Sequence, residues 1–151
     1  MRAIEFRGWD KELKKWHYGN YYFYTDTIYC IASDKDREEN EHHCILFDGF
    51  CDWNMQRPHY KAFVDKNTVG QFTGLYDKNG VKIYEGDKIL YTDNFNVNGT
   101  TSHISNVEWV EEMGGFYIKA VGIGYYNLNK SQCEKYDFEV IGNIHEKENE
   151  Q

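Results

Sequence analysis

A chain of 151 residues fits one ordinary domain or two small lobes and is long enough to bury a core without metals or disulfides. Its formal net charge of −8 repels phosphate backbones at long range and argues against non-specific nucleic-acid binding. With 13 Tyr, 9 Phe and 4 Trp supplying much of its apolar share, the composition leans towards a pleated, half-buried sheet.

The first ten residues carry charges where a signal peptide needs an apolar stretch, and no apolar run reaches membrane-spanning length. The expected compartment is therefore cytoplasmic, without a membrane partner and with Cys30, Cys44, Cys51 and Cys133 reduced.

In chain order, Ile4 and Phe6 alternate with Glu5 and Arg7 up to Trp9, Asp10 to Lys14 reads as a turn, and Lys15 to Tyr18 returns as the second arm of a hairpin. Gly19-Asn20 reads as a break before two further β-rich runs, Tyr21 to Tyr24 and Thr27 to Ala32. Ser33 to His43 is charged and poor in apolar residues. Ser33 with Asp36 resembles a helix start, but no apolar stripe follows, so a solvated loop or short exposed helix is expected. Cys44 to Phe47 is a buried strand candidate, and Phe50 to Lys66 shows little periodicity around the single Pro, Pro58.

From Val69 the pattern sharpens. Phe72 to Tyr76 and Val81 to Tyr84 flank Asp77-Lys78-Asn79-Gly80, a hairpin signal in which both central turn positions favour positive φ. Glu85-Gly86-Asp87 turns again before an alternating run, Lys88 to Tyr91, and Asp93 to Gly99 reads as a polar loop. Val107 and Trp109 share a strand face, Gly114-Gly115 makes a tight turn, and Phe116, Ile118 and Ala120 alternate with Tyr117, Lys119 and Val121. After a connection rich in Gly, Tyr and Asn, Phe138, Val140 and Ile144 lie on one face of a last strand. Many short strands with frequent turns point to a barrel or a sandwich.

Little here carries chemistry. His42-His43-Cys44 with Cys51 and His59 is the one cluster that suggests a metal, but adjacent strand residues face opposite ways and no zinc-type spacing repeats, so a loop entering a strand is the expected reading. A Cys–His nucleophile pair stays open because such partners meet in space, not in sequence. Gly122-Ile123-Gly124 lacks a third glycine and a following helix. No catalytic, cofactor-binding or metal residue is assigned. Tyr21, Tyr22, Tyr24, Tyr125 and Tyr126 are candidate contact surface, as an oligomer interface or as stacking platforms for bases.

The stretch Val69-Gly70-Gln71-Phe72-Thr73-Gly74-Leu75, then Asp77-Lys78-Asn79-Gly80 and Ile83-Tyr84-Glu85-Gly86-Asp87, resembles the YopX family of small phage and prophage proteins. Phe6-Arg7-Gly8-Trp9-Asp10-Lys11 and Glu139-Val140-Ile141-Gly142-Asn143-Ile144 are similar to that family's terminal signatures. The agreement is dense from Val69 to Ile144 and thin from about Asp26 to Asp65.

The resemblance implies an all-β pseudobarrel or two-sheet sandwich of short antiparallel strands, with SH3-like barrel character in the C-terminal half as one form. It implies a single YopX-like domain over 1–151, in one piece or as two lobes, 1–66 and 67–144, with a charged tail, 145–151. It also implies self-association, phage origin and the bacterial host cytoplasm, and it supplies no activity. The motif's polar residues Gln71, Thr73, Asp77, Lys78, Asn79, Tyr84, Glu85 and Asp87 form a candidate patch, although turn-building accounts for most of them. The expected function is a non-enzymatic, homo-oligomeric interaction protein acting on a host or phage protein. A nucleic-acid-associated β-barrel module is the alternative, and an unrecognised enzyme the remote one.

Overall fold

The computed structural model describes residues 3–26, 31–93, 101–120 and 124–146. The chain is mostly β and divides into two compact units, Ile4–Gly70 and Gln71–Gln151, the latter with Met1–Ala3.

The first unit holds β1 (Phe6–Asp10), β2 (Lys15–Thr25), β3 (Glu41–Asp48) and β4 (His59–Phe63), paired antiparallel in the order β4-β3-β2-β1. The β1–β2 turn is built by Asp10, whose Oδ1 accepts the N–H groups of Glu12 and Leu13 at 2.9 and 2.8 Å, while Lys14 takes a left-handed φ of 50°. β2 does not break at Gly19-Asn20 as the sequence suggested. A Cβ at Gly19 would stand 2.1 Å from the Leu46 carbonyl oxygen, so the glycine lets β2 run close beside β3. Thr27 to Cys30 of the next expected strand lie outside the described residues.

A short exposed helix, α1 (Asp34–Glu39), does form. Ser33 Oγ accepts the Asp36 N–H and the Asp36 carboxylate accepts the Ser33 N–H, a reciprocal capping box. After β4 the chain crosses back to β1. Asp65 N–H donates to the Trp9 carbonyl at 2.9 Å, and Trp9 N–H donates to Thr68 Oγ1 at 2.9 Å. This unit buries little aliphatic mass, chiefly Cys44, Ile45 and Ala62, beside the polar Arg7, Asp10, His17 and Thr68.

The second unit contains the hairpin β5 (Gly70–Tyr76) and β6 (Lys82–Tyr84), then β7 (Asp87–Asp93), β8 (Thr101–Val110), β9 (Gly115–Ala120), β10 (Gly124–Asn127), α2 (Lys130–Lys135) and β11 (Glu139–Asn143). Five of its strands form an antiparallel sheet in the order β10-β9-β8-β7-β11. β10 and β11 end that sheet on opposite edges, so it stays open, without SH3-like closure. Its core gathers Ile83, Ile89, Tyr91, Val107, Phe116, Ile118 and Phe138, covered by Leu128 and by Cys133 and Tyr136 from α2 and its C-cap.

The β5–β6 turn also departs from expectation. Only Gly80 has positive φ, 79°, while Asn79 does not. Asp77 carries the turn instead. Its Oδ1 accepts from Asn79 and Val81 N–H, both at 2.8 Å, and its Oδ2 reaches Val140 N–H of β11 at 3.0 Å. α2, capped by Asn129, was not legible in the Asn-rich connection. At the end of β11, Asn143 Oδ1 takes the N–H groups of His145 and Glu146. Of the expected polar loop Asp93 to Gly99, Asp93 ends β7 and the rest lies outside the described residues, as does most of the charged tail. No helix among the described residues is long and apolar enough to cross a membrane.

Two outcomes follow. Asp77→Ala should lower unfolding free energy by at least about 3 kcal/mol in urea titrations, because three N–H donors lose a charged acceptor, and Asp77→Asn should fall between it and the parent. Asp10 is held below the usual carboxylate range chiefly by Leu13 N–H, and Asp65 chiefly by Lys11 Nζ at 2.7 Å. Both pKa values are lowered on folding, so their contribution is present above the unfolded carboxylate range and is lost as pH falls through and below about 4. Asp65→Asn should flatten the acid limb of a stability–pH curve, and an unchanged limb would mean that Asp65 contributes nothing to it.

Candidate functional site

The four-stranded sheet of the first unit carries rings on both faces because its strands alternate Tyr, Phe, Trp and His with one another rather than with polar residues. On one face Tyr21 lies 5.6 Å from Phe6, and the His43 ring stacks on Tyr21 and Phe23 at 6.0 and 5.8 Å. The Tyr21 hydroxyl and His43 Nδ1 share a 2.6 Å hydrogen bond. On the other face Tyr22 stacks on Tyr24 at 5.7 Å, His42 lies 5.0 Å from Tyr24, and Phe63 meets His42 edge-on at 5.8 Å. Lys61 Nζ sits over both Tyr24 and Phe63, at 5.1 and 4.6 Å from their centroids. Tyr18, Tyr22, Phe23, Tyr60 and Phe63 are each about half exposed.

The first face also holds a cavity of about 640 Å³ between β4, the β1–β2 turn and the returning chain at Val64 and Asp65. That volume is within the range of small-ligand and side-chain docking sites. Phe47 and Tyr60, with ring centroids 5.9 Å apart, line it, and His17 packs 5.0 Å from Phe47. His17 Nε2 lies 3.4 Å from Asp10 Oδ2 inside the wall, out of reach of solvent. Lys11 and Lys15 also line the cavity, with Lys11 neutralised by Asp65.

β3 and β4 are joined by a ten-residue loop, 49–58. Its neck is tied. Gly49 N–H donates to the Pro58 carbonyl at 2.8 Å, and the Asp48 carboxylate takes Arg57 Nη1 at 3.2 Å and His59 Nδ1 at 2.8 Å. Beyond the neck, Phe50, Trp53 and Met55 are 93%, 94% and 71% exposed. The signal was present in the sequence: large apolar residues with no period, set among Asp and Asn turn formers, cannot share a buried face.

The structure spreads the motif patch over the β5–β6 hairpin and the turn after it rather than gathering it around a reaction centre. Thr73 Oγ1 donates to the Ile83 carbonyl at 2.8 Å, Lys78 pairs with Glu139 at 2.7 Å, and Asp87 Oδ2 accepts Tyr84 N–H at 2.7 Å. Gln71 takes Glu85 N–H on its backbone carbonyl at 3.0 Å, and burial raises the Glu85 carboxyl. Asn79 stays exposed in the turn. A cavity of about 550 Å³ lies beside this hairpin, lined by Asp77, Lys78, Lys130, Cys133 and Asp137 among others. Tyr125 and Tyr126 stand on β10 of this unit. Tyr126 stacks on Tyr136 at 5.9 Å and Tyr125 meets Tyr117 edge-on at 6.4 Å.

His42 and His43 point to opposite faces, and each has its own carboxylate, Asp26 at 2.8 Å and Glu41 at 3.4 Å. Among the described residues no three His, Cys, Asp or Glu side chains gather as a metal site. Burial pushes the Cys44 thiol up and that of Cys133 up to about 11, the reverse of what an activated nucleophile needs. Cys30 lies outside the described residues. Iodoacetamide at pH 7 should therefore modify Cys51 well before the buried Cys44 and Cys133, read by mass spectrometry. Rapid alkylation of folded Cys133 would reveal a thiolate that this geometry does not provide.

Residues 5–149 match the family described as YopX protein. No curated protein matches the chain. Among solved structures the chain is similar to the crystal structure of protein EF1440 from Enterococcus faecalis, with 19% sequence identity, a TM-score of 0.48, and coverage of 96% of this chain and 95% of that one. The family match spans nearly the whole sequence, and the chain belongs to the YopX family.

Proposed function

We propose that this protein is a non-enzymatic interaction protein of phage origin, which self-associates through aromatic sheet surface and acts on a host or phage protein. The observation that carries this reading is the half-exposed set Tyr18, Tyr22, Phe23, Tyr60 and Phe63 on a sheet with a small aliphatic core. Rings held by strand pairing are pre-ordered, so covering them with a second surface costs little side-chain entropy and gains large apolar contact. The raised thiols of Cys44 and Cys133, and a motif whose carboxylates Asp77 and Asp87 are engaged with backbone N–H groups, speak against a reaction centre.

Light scattering at micromolar concentrations should give a mass above one chain, with the balance shifted towards monomer by Tyr22→Ser or Phe63→Ser. A strictly monomeric parent would remove the self-association. For the target, a tagged pull-down from host cells with nuclease treatment should retain a specific protein.

One contact favours a second reading. Lys61 over Tyr24 and Phe63 is a cation set among rings, as single-stranded nucleic-acid surfaces use. That reading requires a low-salt gel shift that weakens steeply with added salt and weakens further in Lys61→Ala. The net charge of −8 weighs against it.

A further inference from the structure

We infer that the loop between β3 and β4 is a docking finger, and that Trp53 of one copy seats in the cavity between Phe47, Tyr60 and the β1–β2 turn of a second copy. The inference rests on the self-association proposed above and names its contact.

The finger is ordered, not slack. Its neck is closed by the Gly49–Pro58 hydrogen bond and by Asp48 bridging Arg57 and His59. A Cβ at Gly49 would lie 2.1 Å from Tyr60 Cε2, so the backbone packs directly on that ring. Past the neck, Met55 N–H donates to the Asp52 carbonyl at 3.0 Å and Trp53 N–H meets Asp52 Oδ1 at 3.2 Å, which turns the tip. A tied loop that leaves Phe50 and Trp53 over nine-tenths exposed has already lost the entropy that binding would otherwise remove. Trp is also the residue type most enriched at the energetic centres of interfaces.

The cavity fits what the finger carries. At about 640 Å³ it accommodates an indole, and Leu13, Phe47, Tyr60 and Ala62 give it apolar lining. The charges are complementary. Asp52, beside Trp53, has no cationic partner among the described residues. Lys15, at the cavity, has no carboxylate partner among them, whereas Lys11 is already paired with Asp65. Finger and cavity belong to the same unit, so a two-fold arrangement would make the contact twice, each finger entering the other copy. The chain's own finger is not in its own cavity, as the exposure of Trp53 shows.

The test is the self-association constant of the full chain by sedimentation between about 1 and 100 µM, a range suited to interfaces of this strength. Trp53→Ala should weaken association at least about 30-fold, the scale of a hot-spot contact. Because Trp53 is almost fully exposed, folding is not at stake. Asp52→Lys and Lys15→Glu should each weaken it about 10-fold, and the double variant Asp52→Lys/Lys15→Glu should return to within about 3-fold of the parent, because both contacts are restored with reversed sign. An associating parent whose constant is unmoved by all four variants overturns the finger contact and leaves self-association standing. A parent monomeric throughout the range overturns both. Acrylamide shielding of Trp53 that persists unchanged on dilution would put the finger in its own cavity and also overturn the contact between copies.

Discussion

Backbone N–H groups turned inward at tight turns must find acceptors, and in this chain acidic and amide side chains supply them. Asp77 serves three, at Asn79, Val81 and Val140. Asp10 serves two in the β1–β2 turn, Asp87 takes Tyr84, and Asn143 takes two at the end of β11. Asp10, Asp77, Asp87 and Asn143 are all buried. Each closes a turn that would otherwise leave unpaired donors, and each unpaired donor would cost about 1–3 kcal/mol. Part of the acidic character is thus structural, and the strands can be short because their ends are held by side chains.

That constraint lets the two units be built differently. The second unit has an aliphatic and aromatic core under an open sheet, closed on one side by α2. The first unit buries little beyond Cys44, Ile45 and Ala62 and holds shape instead through strand pairing, the Asp10 turn and the crossing at Asp65–Thr68. Its rings are consequently spread over two faces, in contact with one another and with solvent. Aromatic pairs at 5–6 Å contribute about 0.5–1.5 kcal/mol each beyond area burial, which stabilises the sheet without enclosing it. Such rings hold one another while Tyr18, Tyr22, Phe23, Tyr60 and Phe63 stay about half exposed.

Period-2 patterns made the arms of both hairpins legible, and the glycine- and aspartate-rich punctuation marked their turns. Three features were not legible, each for a physical reason. Gly19 reads locally as a breaker, but its role is a close approach to Leu46 on a neighbouring strand, which only tertiary pairing reveals. α2 spans six residues and buries only Cys133, too short to display a helical stripe. The Asn-Gly dipeptide suggested two left-handed positions, yet Asp77's carboxylate stabilises a turn that needs one, at Gly80. Of the candidate site, the tyrosines were visible by composition. The Phe50–Trp53–Met55 loop has no helical or strand period, so no face and no exposure could be assigned to its rings from spacing alone.

Catalysis needs a side chain whose proton or lone pair is free to move in a place that substrate reaches. Here Asp77 and Asp87 are spent on backbone donors, His17 faces Asp10 inside the wall, His42, His43 and His59 each face a carboxylate, and the Cys133 thiol is held protonated. Among the described residues, the large apolar side chains most exposed to solvent are Trp53 and Phe50, which offer area and shape but no proton to transfer. Among the described residues, these carboxylates, imidazoles and the Cys133 thiol are held internally while indole and phenyl rings stand outside, so what the finger presents to solvent is shape and apolar area.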